Sequence, residues 1–402
     1  MFFTRTRIII IVIVIVAVIV LVGLFLFAGK RISRAEIIFW GVDDLVVWDD
    51  LIKEYQSLNP GIKIKYEAIN PAVYEETLIN ALAAGQGPDI FMVENTWLAK
   101  HGPKMAPAPD GLVGYGQIQE LFPAVVEQDF TANGQIFALP LFLDTLVLLY
   151  NQDIFDQRGI AEPPANWPDF QELARQLGFG RTAIGGSSRN IENAPDILLA
   201  LLLQEGVTEI NEQAISPLTF YSKFSNGKSS YFIWDNSRAN DFESFLAGEV
   251  AMLFGYNYQA NFLRRLNPQL RLGIAPLPQS SATLTVNFPA YLGLAVSSQS
   301  PSREEAWRFL TGVTLTPQIS AQYLQIIQQP PALRSLINQI IDQPLLGIFA
   351  RQALTARSFF QKDNLLLRRQ LNEMIESIMA RAEPADVLKR FIQNQNELFR
   401  SS

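Results

Sequence analysis

Glu36-Ile-Ile-Phe-Trp-Gly-Val-Asp-Asp44 decides how the rest of the chain is read. Five residues from Glu36 to Trp40 form a β-rich run that stops at Gly41, the pattern of a buried strand. Asp43 and Asp44 then stand where a helix begins, and two carboxylates favour the positive end of its dipole. Leu45, Trp48, Leu51, Ile52, Tyr55 and Leu58 recur at helical spacing as its apolar stripe. Asn59-Pro60-Gly61 ends the helix. Ile62, Ile64 and Tyr66 alternate with Lys63, Lys65 and Glu67, which predicts a half-buried strand. A second helix is expected from about Val73 to Ala84 with Gly85 as its stop, and Pro88-Asp89 leads into a strand at Ile90 to Val93. The order β-α-β-α-β means a parallel sheet covered by helices. Ligands of such sheets bind beyond the carboxyl ends of the strands, here at Trp40 to Asp44 and Glu94 to Trp97.

Further along, Ala138 to Tyr150 is a strand-like run interrupted by Asp144. An acid inside so apolar a run is either partnered or a solvated edge residue. A helix starts at Trp167-Pro168-Asp169. Asn193 is placed as an N-cap with Pro195 in the first turn and Gly206 past the end. A strand from Glu249 to Phe254 empties into Gly255-Tyr-Asn-Tyr258. Ser302-Arg-Glu-Glu305 has the form of a capping box, and the C-terminal third is mostly amphipathic helix.

The 402 residues suit two domains better than one core, and 49% hydrophobic content leaves little room for disorder. There is no cysteine, so disulfides, thiolate metal sites and a lipid-modified cysteine are excluded together. The first 35 residues carry Arg5, Arg7, Lys30, Arg31 and Arg34 and no acid. Removing these five from the 32 basic residues leaves 27 against 39 acidic, a balance of −12. So acidic a body argues against nucleic-acid partners. The apolar run Ile8 to Ala28, 21 residues broken only by Gly23, matches the ~20 needed for a transmembrane helix. The charged residues directly after it suit an uncleaved anchor better than a cleaved signal. Flanking charge leaves its orientation open.

Enzymatic motifs are weak. The single histidine, His101, is expected on a surface loop beside Gly102-Pro103, and no histidine–cysteine metal set or Ser-His-Asp arrangement can be assembled around it. Gly178-Phe-Gly180-Arg-Thr-Ala183 follows a helix instead of a strand, and Gly227-Lys228-Ser229 lacks the leading glycine of a phosphate loop. No cofactor or metal is expected.

Several segments resemble the family-1 extracellular solute-binding proteins of ABC importers, the group of maltose- and other sugar-binding receptors. Ala81-Leu-Ala-Ala-Gly-Gln-Gly-Pro-Asp-Ile-Phe91 is similar to the family's helix-to-strand motif. Ala138-Leu-Pro140, Asp144-Thr-Leu146, Leu149-Tyr-Asn151, Phe155-Asp156 and Gly159-Ile160 resemble its crossover segment. Phe245-Leu-Ala-Gly-Glu-Val-Ala-Met252 with Leu272-Gly-Ile-Ala-Pro-Leu-Pro278 resembles its second-lobe signature. Leu292-Gly-Leu-Ala-Val296, Glu305-Ala-Trp-Arg-Phe-Leu310 and Ala353-Leu-Thr-Ala-Arg357 also match. The resemblance implies an α/β, two-lobed periplasmic-binding-protein fold with discontinuous lobes, an interlobe cleft and hinge closure, here preceded by one transmembrane helix. The expected division is an anchor at 8–28, a first lobe of 36–143 and 291–328, and a second of 144–290 and 329–402. It further implies a monomeric, non-enzymatic receptor with its body outside the cytoplasm, delivering a sugar-like solute to ABC permease subunits; the head departs from the family, many of whose members carry a cleaved signal or a lipobox cysteine, and the membrane tether is read from the apolar run alone. An extracellular carbohydrate-active enzyme using Asp43, Glu94 or Asp144, and a ligand sensor coupled to a membrane partner, are the alternatives.

Sugars need acids and amides for their hydroxyls and rings for their C–H faces. The candidates in the first lobe are Trp40, Asp43, Asp44, Glu94, Asn95 and Trp97, with Asp144 at the hinge. In the second lobe they are Asn193, Tyr256, Asn257, Tyr258, Arg357 and Phe359. Trp40 and Trp97 suit core packing equally well, Asp43 suits a helix cap, and Arg357 suits an acidic neighbour. Tyr258 lies near the position where relatives carry a stacking aromatic.

Overall fold

The computed structural model describes residues 35–400, with side chains over 36–393. The expected anchor at Ile8 to Ala28 lies outside them. Among the described residues no helix is long and apolar enough to cross a membrane.

The opening segment folds as read. Strand Ala35–Gly41 runs parallel to Ile62–Ala68 on one side and to Ile90–Glu94 on the other, with helices Leu45–Leu58 and Tyr74–Ala83 between them. Asp89 ties the lead-in together, its carboxylate accepting from the Ile38 amide at 2.8 Å and the Ser300 hydroxyl at 2.5 Å. The stripe of the first helix is narrower than expected. Val47, Trp48, Leu51 and Ile52 are buried, but Leu45 and Leu58 are 57% and 73% exposed on the terminal turns. Trp48 is fully buried against Phe39, Tyr66 and Tyr323. Each such ring is worth ~1.5–3 kcal/mol of burial.

The run from Ala138 to Tyr150 divides into three pieces. Ala138–Pro140 pairs with Leu292–Ser297 in the first sheet, and Val147–Asn151 pairs with Met252–Gly255 and Leu272–Ala275 in a second, antiparallel sheet. Between them Asp144–Thr145 pairs with Pro289–Ala290 in a ladder of its own. Two strands thus run side by side from one core to the other. The first core gathers residues from Ile37 to Leu143 and from Tyr291 onward, and the second spans Leu146 to Phe288 and returns from Phe359 to Phe391. Ala332, Leu333, Leu336 and Ile337 still pack in the first core, so the chain does not leave it at 329. The third passage is at helix Leu346–Ala353, where Phe349 faces the second core and Ala350 and Ala353 the first. Gln352 fastens this passage, donating to Thr145 Oγ1 (2.9 Å) and Leu146 O (3.1 Å) and accepting from the Leu277 amide.

Six helices from Arg303 onward make up the C-terminal part of the described chain. Ser302 occupies the N-cap position of Arg303–Thr314, but its side chain makes no cap bond there. His101 is not on a surface loop. It is 6% exposed, its Nε2 lies 2.8 Å from Glu75 Oε1, and its edge meets Trp97.

Candidate functional site: the cleft between the two cores

On the first-core side the chain leaves its opening strand at Gly41 and turns over Val42, Asp43 and Asp44 into a helix. Asp43 Oδ2 accepts from Trp48 Nε1 (3.0 Å) and Tyr323 OH (2.9 Å), and Asp43 O accepts from Tyr66 OH (2.7 Å). Burial raises the Asp43 pKa, opposed by the Tyr323 and Trp48 donors. Asp44 stands at the N-cap position with its carboxylate free of any cap bond and exposed. Glu94 ends its strand and is open to water. Protein walls it in on the other sides and raises its pKa, as does Glu75, while Arg368 opposes the shift. Its Oε2 accepts from Asn364 Nδ2 at 2.9 Å.

On the second-core side, strand Met252–Gly255 leads at once into helix Asn257–Leu266. The expected turn is a helix start, which separates the two tyrosines. Tyr256 is buried with its hydroxyl donating to Asp196 Oδ2 at 3.1 Å. Tyr258 is 50% exposed and stacked on Tyr256, with centroids 6.0 Å apart and planes 9° from parallel. Asn193 sits at the N-cap position of Ala194–Gln204 but does not cap it. It is buried, donating to Phe254 O (3.0 Å) and Gln259 Oε1 (2.9 Å), and so fixes the strand-to-helix junction.

Between the two sides lies a cavity of about 350 Å³, whose lining includes Asp43, Asp44, Tyr258, Asn261, Arg265 and Gln328. Hydrogen bonds join the two cores at its lining residues Gln328 and Gln329. Asn257 Nδ2 donates to Gln328 O at 2.6 Å and Gln329 Oε1 at 3.3 Å, and Asn261 Nδ2 donates to Gln328 O at 3.1 Å. Gln328 presents that carbonyl from a left-handed conformation, φ 54°, at the end of helix Pro317–Ile327. A second bridge joins Lys100 Nζ to Asp363 Oδ2 at 3.2 Å.

Three predicted residues therefore line the cavity: Asp43, Asp44 and Tyr258. Others serve elsewhere. Asp144 is 1% exposed, not a solvated edge. Its carboxylate accepts from the Asn257 amide (2.9 Å) and the Thr145 amide (2.8 Å), anchoring the start of helix Asn257–Leu266. Burial pushes its pKa up to about 7 against those bonds. Asn95 is buried, donating to Asp129 Oδ2 and Ser358 Oγ. Trp97 is 2% exposed and stacked on Tyr74, so it packs in the first core instead of presenting a face. Trp40 is half-buried and donates to Glu67 Oε2 at 3.0 Å. Phe359 belongs to the second core, while its neighbour Phe360 is exposed. Arg357 is exposed outside the cavity lining. Sequence reasoning missed Asn261, Arg265, Gln328 and Arg368. The only signal for Asn261 is its spacing of four from Asn257 on one helix face.

Two α/β cores joined by paired strands, with an acid-and-tyrosine cleft between them, define a two-lobed solute receptor. Residues 43–317 match the family model of the bacterial extracellular solute-binding protein, and the chain belongs to that family. A binding protein of Brucella abortus (strain 2308) is 24% identical over 285 residues, 65% of this chain and 67% of that protein. The maltotriose-binding protein of Pyrococcus abyssi is 22% identical over 322 residues, 77% of this chain and 69% of its own. The solved sugar-binding protein MalE of Xanthomonas citri superposes with a TM-score of 0.77 at 18% identity, covering 91% of this chain and 98% of that one.

Proposed function

We propose that the protein is the receptor of an ABC importer, capturing a sugar-like solute between its lobes and delivering it to permease subunits. The observation that carries this reading is the cavity bounded by both cores, with Asp43 and Asp44 on one wall and the half-exposed Tyr258 ring on the other. Carboxylates accept from sugar hydroxyls and an aromatic face covers the C–H surface, which is the chemistry a polyol ring needs. The ladder of Asp144–Thr145 with Pro289–Ala290 is the natural hinge, since only a few strand residues there need to change backbone angles. Residues 36–143 with 291 onward to the third passage form one lobe in this reading, and the remainder the other. The apolar run Ile8 to Ala28 holds the body on the outer face of the membrane as a monomer, and the lobes bind without chemistry.

Titration calorimetry of the full chain in detergent against maltotriose, maltotetraose, cyclic tetrasaccharides and monosaccharides tests this. Saturable binding of at least one sugar without product formation is expected. No heat and no thermal shift across the panel, or turnover of a sugar, would sink the proposal.

A further inference from the structure

The second-core wall carries a charge cluster that the capture reading alone does not use. Arg368, on helix Asn364–Met379, makes a two-pronged ion pair with Asp196 on helix Ala194–Gln204, Nη1 to Oδ1 and Nη2 to Oδ2 (the latter 3.3 Å). The Asp196 side chain is 5% exposed and the Arg368 side chain 37%. The carboxylate has a second donor, since Oδ2 also accepts from Tyr256 OH at 3.1 Å. Tyr256 in turn lies parallel to Tyr258, the half-exposed ring of the cavity wall.

We propose that Asp196 is a positioning residue of the cleft. It is clamped by Arg368 and pins the Tyr256 hydroxyl, so that Tyr256 holds the Tyr258 ring at a fixed angle to the cavity. This rests on the reading that Tyr258 faces the bound solute. A buried carboxylate stays ionised most readily beside a counter-charge with its oxygens hydrogen-bonded, and the planar guanidinium fork supplies both in one orientation. A tyrosine ring free to rotate about its own bonds would be frozen at the solute's expense, whereas one already stacked is pre-organised. Packing alone would need only the Tyr256 ring, so the hydroxyl on Asp196 is what converts a stack into a fixed orientation. Arg368 also stands in the field of Glu94 from the opposite core. The helix that carries the clamp also touches the opposite core, Asn364 Nδ2 donating to Glu94 Oε2 at 2.9 Å.

The test uses the full chain in detergent micelles, labelled with 3-fluorotyrosine and without added solute. Tyr258→Phe identifies the Tyr258 fluorine resonance. Tyr256→Phe keeps the stack and removes only the hydroxyl. The expected result is a displaced Tyr258 resonance in Tyr256→Phe with a melting temperature within about 2 °C of the parent. Asp196→Asn should displace it likewise, and Arg368→Lys, which keeps the positive charge, should recover most of the parent signal. An unmoved Tyr258 resonance in Tyr256→Phe overturns the proposal even if Asp196→Asn fails to fold. Because no solute is present, that result is independent of the capture reading. Full-strength sugar binding by Tyr258→Ala would instead remove the premise that this ring meets the solute.

Discussion

Removing the Asn257 and Asn261 side-chain amides that bridge the two cores should open the molecule without unfolding it. The perturbation is Asn257→Ala together with Asn261→Ala. It deletes three hydrogen bonds between the cores, two to Gln328 O and one to Gln329 Oε1. The backbone amide of Asn257 keeps its bond to Asp144, so the helix start is retained. A neutral hydrogen bond contributes a net ~0.5–1.5 kcal/mol, and the partly exposed Asn261 contact and the long Gln329 contact belong at the low end. The total is roughly 2 kcal/mol, which shifts the ratio of bridged to open molecules about thirtyfold. Apparent sugar affinity falls with the fraction of molecules able to close, by up to roughly the same factor. The absence of native cysteine makes the assay direct. Glu54→Cys on the first core and Gln269→Cys on the second are both on exposed positions and carry spin labels for a double electron–electron resonance distance. The variant should gain a longer-distance population that added sugar reverses. An unchanged distance distribution, with unchanged affinity, would show that these bonds are incidental to the lobe arrangement.

Tyr258→Ala should weaken sugar binding by ~2 kcal/mol, about thirtyfold, since a well-packed aromatic anchor is lost. The folded state loses only the stack on Tyr256, ~0.5–1.5 kcal/mol, so calorimetry and thermal unfolding separate the two effects. Burial raises the carboxyls of Asp129, Asp144 and Asp241 to about 7. Between pH 4 and pH 7 the folded chain holds these protons and the unfolded chain does not. Stability is therefore greatest at the acid end of that window, falls as pH rises through it and levels off above. The ceiling is about 4 kcal/mol per group. Urea unfolding at pH 5 and pH 8 should give the lower midpoint at pH 8, and the reverse order would contradict the burial argument. Membrane-extracted protein should keep Ile8 to Ala28, so an intact mass corresponding to a start near Glu36 would exclude the anchor.

Local periods made the first sheet legible, because each strand from Glu36 to Val93 and the helices between them bury a face set by residues two to four positions apart. The break at Asp144 was legible for the same reason: nothing else charged interrupts that run. What Asp144 does was not, since its partner amide is 113 residues away. The same holds for His101 and Glu75, for Asn95 and Ser358, and for the clamp of Arg368 on Asp196, 172 residues apart. A polar residue at a strand end is written identically in sequence whether it meets a solute or a distant backbone group. The tyrosines show how finely this divides. Tyr256 and Tyr258 sit in one Gly-Tyr-Asn-Tyr stretch, but the chain enters a helix at Asn257, which leaves the first ring beneath the second instead of beside it. Phe359 and Phe360 part in the same way, one inside the second core and one in water. Long-range pairing therefore decides which polar and aromatic side chains are buried, which join the two cores and which are left at the cavity. The acids that reach the cavity, Asp43 and Asp44, are those whose place follows from the opening strand alone.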